Sequence, residues 1–167
     1  MDIPLAATPN DEHYGPAADR LSFERGTDGP RVIMVGVDGS PTSMHAAAYA
    51  FGLARRQRCR LVVLFVTSTA SFGTAVSGVA AVALERTFDE LTADLRGEVR
   101  RAAEEHCLPT TFVTRRGDPY VELRDAADQV KADMVVVGVS AQAGHRFVGS
   151  IATRLVRLGR WPVLVVP

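Results

Sequence analysis

Short apolar runs alternate along the chain with longer segments in which apolar residues recur every three or four positions. The runs are typical of strands that are buried on both faces of a sheet. They predict strands at residues 32–37, 61–66, 110–114, 134–137 and 162–166. We therefore expect a central sheet that is covered on both sides.

The longer segments predict amphipathic helices. The first begins at Pro41, directly after Ser40, which is a residue type that caps helix N-termini. Further helices are expected over residues 82–106, after Pro119 and over residues 151–158. Strands that alternate with helices imply right-handed crossovers and parallel pairing. We therefore predict a Rossmann-like α/β fold with a five-stranded, mostly parallel sheet and helices on both faces.

Residues 1–30 differ from the rest of the chain in their turn-forming composition. They contain four prolines and three glycines, which argue against a regular helix or strand across the segment. We interpret residues 1–30 as a disordered N-terminal tail, with a docking arm for a partner as the alternative. The folded domain is expected to span residues 31–167.

The composition excludes several classes of protein. The chain has 19 basic and 19 acidic residues, whereas an electrostatic nucleic-acid binder concentrates basic residues on one face. No segment approaches the roughly eighteen consecutive apolar residues of a membrane-spanning helix. The N-terminal residues include early acidic side chains and lack the basic region of a signal peptide. We expect a soluble cytoplasmic protein that binds neither nucleic acid nor membrane.

Two polar loops that contain glycine follow predicted strands. Asp38, Gly39 and Ser40 follow the first strand, and residues 138–150 follow the fourth. In open α/β sheets, ligands bind beyond the carboxyl ends of the strands, where the direction of the connections reverses. The two loops therefore predict a binding site at this end of the sheet.

Other chemical motifs are weak or absent from the sequence. Residues 144–150 have the spacing of a phosphate-binding P-loop, but they lack its lysine and follow the wrong strand, so we reject that interpretation. The sequence contains neither an HExxH zinc motif nor a GxSxG nucleophile elbow. The residues of a dedicated hydrolase are therefore not visible.

Three segments of the chain resemble the universal stress protein (UspA) family. They read VIMVGVDGSPTSMHAAAYAFGLA, RGDPYVELRDAADQVKADMVVVGVS and GSIATRLVRLGRWPVLVVP, and the resemblance extends over residues 31–167. It implies a stress-response protein with a five-stranded α/β fold. It also implies a homodimer that pairs through the last strand, from Pro162 to Val166.

Family members that bind ATP carry a loop of the form G-x2-G-x9-G-[ST] and an aspartate at the end of the first strand. Gly138 matches the first glycine, Gly149 and Ser150 match the closing pair, and Asp38 matches the aspartate. In the family, two further positions contact the adenine and ribose side of the nucleotide, and Val37 and Val66 occupy these positions here. The resemblance thus implies ATP, with Mg²⁺, as the ligand and the following cofactor-binding residues: Val37, Asp38, Val66, Gly138, Gly149 and Ser150.

The chemistry of these residues leaves structural alternatives open. Ser150 either caps the helix that it begins or gives its hydroxyl to a phosphate at the positive pole of that helix. Asp38 either accepts a ribose hydroxyl or orients a metal-bound water, or it forms only the turn. Gly138 either admits a ligand closely or simply ends a strand. His145 and Arg146 either contact phosphate or lie in solvent.

The second loop departs from the family pattern at Ala141, which replaces the second glycine. Seven residues, instead of nine, separate Ala141 from Gly149. Gly144 is the candidate to take over the lost role, and we include it among the cofactor-binding residues. If this position needs a positive φ or a close phosphate contact, the Cβ of Ala141 is a steric problem. The sequence leaves ATP binding open for this reason.

Two functions therefore remain open. The first is a dimeric regulatory or binding protein that holds ATP between the loops after the first and fourth strands. The second is a family member that binds no nucleotide and acts through dimer and protein–protein contacts. We assign no catalytic residue and no metal ligand, and the sequence indicates no enzyme beyond a slow ATPase, for which Asp38 is the candidate residue.

Overall fold

The computed structural model describes residues 11–14, 29–68, 78–139 and 149–167. Six strands and four helices lie within these residues. The five strands and four helices expected from the sequence are all present, with shifts of a few residues at their ends. In chain order the elements are β1 (Asp11–Tyr14), β2 (Val32–Val37), α1 (Pro41–Gln57), β3 (Arg60–Ser68), α2 (Gly78–Glu105), β4 (Thr110–Gly117), α3 (Pro119–Gln129), β5 (Met134–Gly138), α4 (Ser150–Leu158) and β6 (Val163–Val166).

The strands form one sheet in the order β1-β4-β3-β2-β5-β6. Strands β2 to β6 pair in parallel, whereas β1 runs antiparallel to β4. At the centre of the sheet, Val35 of β2 lies opposite Val63 of β3 on one side and Val136 of β5 on the other. The predicted five-stranded parallel sheet is confirmed, and β1 adds a sixth strand at its edge.

Strand β1 lies within the segment for which the sequence predicted no regular structure. Asp11–Tyr14 pairs with residues 110–113 of β4. The prediction is wrong for these four residues, because so short and polar a strand has no periodicity of its own and depends on its partner strand. Apart from Gly29 and Pro30, the rest of the predicted tail lies outside the described residues.

The sheet separates two hydrophobic cores. Successive strand residues point to opposite faces, so Ile33 packs on the side of α1 and α2, and Met34 packs on the side of α3 and α4. Helix α1 meets the sheet through Ala46, Ala50 and Ala54, which are fully buried and small enough for a close approach. Helices therefore cover both faces, as predicted, and none in the described part of the chain is long and apolar enough to cross a membrane.

The strand order creates a crevice between β2 and β5. The chain leaves β2 through α1 on one face of the sheet, and α4, which follows β5, lies on the other face. The connections after these two neighbouring strands therefore diverge at their carboxyl ends. This divergence is the usual position of a ligand site in an open α/β sheet.

Candidate functional site

A cleft of about 390 Å³ opens at the carboxyl ends of β2 and β5. The first turns of α1, α3 and α4 also line it. Its volume falls within the range of about 300–1,000 Å³ that is usual for small-molecule sites. Because the N-terminus of a helix carries a partial positive charge, three such termini at one cleft favour a ligand with an anionic group.

The structure brings most of the predicted cofactor-binding residues together around this cleft. Gly144 lies outside the described residues, as do Ala141, His145 and Arg146, so the structure places none of these four. The six predicted residues that line the cleft are Val37, Asp38, Val66, Gly138, Gly149 and Ser150.

Several lining residues were not predicted. Thr42 and Ser43 lie in the first turn of α1, and their proximity to Asp38 in sequence could have indicated them. Leu123 of α3 and Ile151 of α4 enter the cleft from the other face of the sheet. No local sequence signal identifies these two residues, because their position depends on how the helices pack.

Asp38 forms a tight turn at the end of β2. Its Oδ1 accepts a hydrogen bond of 2.9 Å from the backbone N–H of Ser40. Gly39 between them has a φ of +83°, which an L-residue with a Cβ adopts only with strain. Ser40 then caps α1 and accepts a hydrogen bond from the N–H of Ser43, as predicted. The turn explains Asp38 in structural terms, while Asp38 is also one of the residues that line the cleft.

The surroundings of Asp38 favour its ionised form. Partial burial by itself raises the pKa of the carboxyl, but hydrogen bonds with Ser40 and Ser43 and with its own backbone outweigh burial. The net effect holds the pKa of Asp38 below its ordinary value. The cleft therefore contains a carboxylate at neutral pH, which accepts hydrogen bonds from hydroxyl groups and repels phosphate.

Ser43 connects the turn to the helix from inside the protein. Its side chain is buried, and its Oγ donates to the carbonyl oxygen of Ser40 over 2.9 Å. The same Oγ accepts from the backbone N–H of Asp38 over 3.2 Å. This hydroxyl fixes the distance between the end of β2 and the first turn of α1, and with it the position of the Asp38 carboxylate.

Gly138 ends β5 directly against α1. A Cβ added to Gly138 would lie 2.6 Å from the carbonyl oxygen and 2.7 Å from the carbonyl carbon of Thr42. Both are backbone atoms, so they cannot rotate away as the end of a long side chain would. Close packing of the strand on the helix is therefore sufficient to require a glycine here, whether or not a ligand approaches it.

No side chain among the described residues caps the N-terminus of helix α4. Its N-cap is Gly149, whose carbonyl accepts the first helical hydrogen bond from Thr153. Of the two roles left open for Ser150, that of helix cap does not hold, because Ser150 is already the first helical residue. Ser150 is exposed at the cleft, and the first N–H groups of a helix have no partner within the helix itself. This end of α4 can accept an anion.

The charges of the described lining limit the chemistry of the cleft. Asp38 is the ionisable side chain among these lining residues, and no lysine, arginine or histidine accompanies it there. The described parts of the chain contain no group of three His, Cys, Asp or Glu side chains that could hold a metal ion. The donors for an anion in this part of the site are consequently uncharged: the backbone N–H groups at the start of α4 and the hydroxyl of Ser150.

The family of the chain follows from a comparison with known families. The model of the universal stress protein family matches residues 30–167. The chain belongs to this family. The match begins just before β2 and includes every residue that lines the described cleft, whereas β1 lies outside it.

Individual universal stress proteins agree with this assignment. Universal stress protein MJ0531 of Methanocaldococcus jannaschii is 28% identical over 137 residues, which are 80% of this chain and 80% of that protein. The structure of UspA from Lactobacillus plantarum superposes with a TM-score of 0.70, at 24% identity over 81% of this chain and 97% of its own. These similarities confirm the fold that the sequence predicted.

The structural neighbours include proteins crystallised with a nucleotide, one of them with AMP. It is a universal stress protein family protein from Arabidopsis thaliana with AMP bound, and it has a TM-score of 0.60 and 17% identity. The alignment covers 82% of this chain and 91% of that protein. Nucleotide binding is thus found on this fold in a distant relative.

Proposed function

We propose that this universal stress protein binds an adenine nucleotide in the cleft between β2 and β5 and acts as a regulatory module. The observation that carries the proposal is that the N-terminus of α4, which no described side chain caps, lines the same cleft as Asp38 at the end of β2. A nucleotide has an anionic phosphate and a sugar that bears hydroxyls. The N-terminus of α4 complements the phosphate, and the carboxylate of Asp38 complements the sugar. The AMP-bound relative supports the assignment on the same fold.

The base and the ribose would lie toward the end of β2. Val37 and Val66 are buried apolar residues at the cleft, and they supply a surface on which a purine can pack. The Asp38 carboxylate accepts hydrogen bonds, which suits the hydroxyls of a ribose. Because Asp38 repels phosphate, the phosphate would lie away from it, toward α4.

The phosphate would lie at the start of α4. The Gly149 N-cap has no side chain to bond the backbone N–H groups of the first turn, which would then donate to an anion. Ser150 adds a hydroxyl at the same place. The described lining contains no cationic side chain, so we propose AMP, which has a single phosphate, as the simplest ligand. ATP with Mg²⁺ is the larger alternative. In that complex Asp38 would orient a metal-bound water.

A charge substitution at Ser150 tests this arrangement by calorimetric titration with AMP and with Mg²⁺–ATP. Ser150→Glu places a negative charge where the phosphate would bind, while it suits the positive pole of α4 and so preserves the fold. Ser150→Gln has nearly the same size without the charge. We expect wild type and Ser150→Gln to bind, and Ser150→Glu to lose at least tenfold in affinity. Equal affinities of the two variants, or no binding by wild type, would refute the proposal.

We further propose that the protein forms a dimer through β6. The amide of Val135 donates to the carbonyl of Pro162, and the amide of Val139 donates to the carbonyl of Val166. Because alternate residues of a strand point the same way, the backbone N–H and C=O of Val165 face away from β5. Strand β6 thus offers an open edge in the described sheet for pairing with a second copy.

A proline at the outward position tests the dimer. Val165→Pro removes an N–H that points to the open edge and leaves the β5–β6 hydrogen bonds in place. Val165→Thr keeps both the N–H and the branched shape and is the matched control. In sedimentation equilibrium we expect a dimer for wild type and Val165→Thr, and a monomer for Val165→Pro. If wild type is monomeric, or if Val165→Pro remains a dimer, pairing through β6 is wrong.

The alternative function is a universal stress protein that acts through its dimer and protein contacts without a nucleotide. The open edge of β6 favours it, because this surface exists whether or not the cleft is filled. A dimer that gives no heat with AMP or Mg²⁺–ATP would select this alternative. Under either function we propose a cytoplasmic location and no enzymatic turnover beyond slow ATP hydrolysis.

A further inference from the structure

The buried part of β4 coincides with the part that β1 covers. Residues 110–113 are paired with β1 and are no more than 3% exposed. Residues 114–117 continue the same strand beyond the end of β1, and they are half-buried or exposed. Strand β1 therefore lies over the most apolar part of an edge that would otherwise be open.

The backbone of β4 offers hydrogen bonds to β1 at alternate residues. The amide of Leu61 in β3 donates to the carbonyl of Pro109, just before β4, over 3.0 Å. Residues of the same parity, such as Thr111, therefore direct their backbone groups toward β3. The backbone groups of Thr110 and Phe112 point the other way, toward β1.

The register determines which residues of β1 receive these bonds. Glu12 lies opposite Phe112, and Tyr14 lies opposite Thr110. In an antiparallel pair, opposite residues exchange their backbone hydrogen bonds in alternate pairs, so the N–H groups of Glu12 and Tyr14 point into the pairing. The N–H of His13 points away from β4.

Arg96 of α2 anchors β1 to the body of the domain. Its Nε forms an ion pair with Oε1 of Glu12, and the side chains are 33% and 31% exposed respectively. The guanidinium also lies 5.9 Å from the centre of the Phe112 ring, directly beside the paired region. A partly buried ion pair at this position fixes a strand that is only four residues long.

We propose that Asp11–Tyr14 is an edge strap that occupies the hydrogen-bonding edge of β4 and prevents it from pairing with a second copy of the chain. Residues 110–114 read TTFVT, which is uncharged, free of proline and rich in residues that favour strands. A subunit with two long open edges can assemble without limit, whereas one open edge closes into a pair. The strap is only four residues long, so its own outer edge offers little for further strand addition.

Two proline substitutions in the full-length chain test whether the strap acts through its hydrogen bonds to β4. Tyr14→Pro removes an N–H that points toward β4, and His13→Pro removes one that points away. We expect the Phe112 amide to exchange with solvent roughly tenfold faster in Tyr14→Pro than in wild type or His13→Pro. The amide of Val136 in β5 should keep its wild-type exchange rate, which shows that the effect is local.

A charge exchange tests the role of Arg96 in the same measurement. Glu12→Arg and Arg96→Glu each place like charges together and should accelerate exchange at Phe112. The double variant restores the pair with its charges reversed and should return the rate toward that of wild type. A rate in the double variant as high as in the single ones would show that this ion pair does not hold the strap.

Assembly state completes the test of the strap. We expect light scattering of Tyr14→Pro to show species larger than those of wild type, growing with protein concentration, whereas His13→Pro matches wild type. Equal Phe112 exchange in the two proline variants would overturn the strap itself. Faster exchange without larger species would overturn its role against self-association. Neither result depends on nucleotide binding, and exchange at Phe112 does not depend on β6.

Discussion

Gly138 and Thr42 are in contact so close that no side chain fits between them. The position of a Cβ on Gly138 is 2.6 Å from the carbonyl oxygen of Thr42, although the two residues are far apart in sequence. This contact sets the spacing between β5 and the first turn of α1, and these two elements bound the cleft. A glycine that the family pattern associates with a ligand thus has a role in packing as well.

A methyl group at position 138 should therefore destabilise the protein. Gly138→Ala has no room beside the α1 backbone, and we expect a loss of about 1–3 kcal/mol in the free energy of unfolding. Gly97→Ala is the control, because nothing lies within 4 Å of its added Cβ. In the middle of α2 it should stabilise by about 0.5–1 kcal/mol. Urea denaturation of both variants measures the contrast, and equal stabilities would contradict the packing role of Gly138.

Loss of the Ser43 hydroxyl should weaken the link between β2 and α1. Ser43→Ala removes the group that bonds the Asp38 N–H and the Ser40 carbonyl from a buried position, and we expect a cost of about 1–3 kcal/mol. Thr92→Ala is a matched control, because that hydroxyl bonds only back along its own helix, to the carbonyl of Phe88. Its effect on thermal unfolding should be close to zero. A similar cost for both would deny Ser43 a special role.

The acid dependence of stability should report on Asp38. Its pKa in the folded protein lies below the ordinary value, so the ionised carboxylate stabilises the fold at pH values above the unfolded pKa of about 4. This contribution is lost as the pH falls through the folded pKa. Asp38→Asn keeps an oxygen for the Ser40 N–H but has no charge to lose.

We expect wild type to exceed Asp38→Asn in melting temperature at pH 7 and the difference to shrink as the pH falls below the ordinary pKa of an aspartate, about 4. A constant difference between wild type and Asp38→Asn across the pH range would contradict the lowered pKa of Asp38.

The sequence predicted the elements whose signals are local. Apolar runs identified β2, β3, β4, β5 and β6, and Ser40 with Pro41 located the start of α1. General rules for parallel sheets then placed the binding site at the carboxyl ends of the strands, whereas the order of the strands was not predicted. Most of the candidate cofactor-binding residues line one cleft for this reason.

The features that the sequence did not reveal depend on contacts between distant residues. Strand β1 pairs with β4 and contacts Arg96, and its four residues carry no strand pattern of their own. The contact of Gly138 with Thr42 joins two elements across the cleft, so the glycine alone did not distinguish packing from ligand binding. The N-cap of α4 falls at Gly149, one residue earlier than expected, because glycine also serves as an N-cap.

Mapping of AMP binding onto individual backbone amides tests the central claim most directly. In a titration of the ¹⁵N-labelled protein, we predict saturable shifts at Asp38, Gly149 and Ser150, which lie at the two sides of the cleft. The amides of Thr111 and Val113, on the opposite side of β3, should remain unchanged. An absence of shifts at millimolar AMP, or shifts that saturate only away from the cleft, would contradict nucleotide binding between β2 and β5.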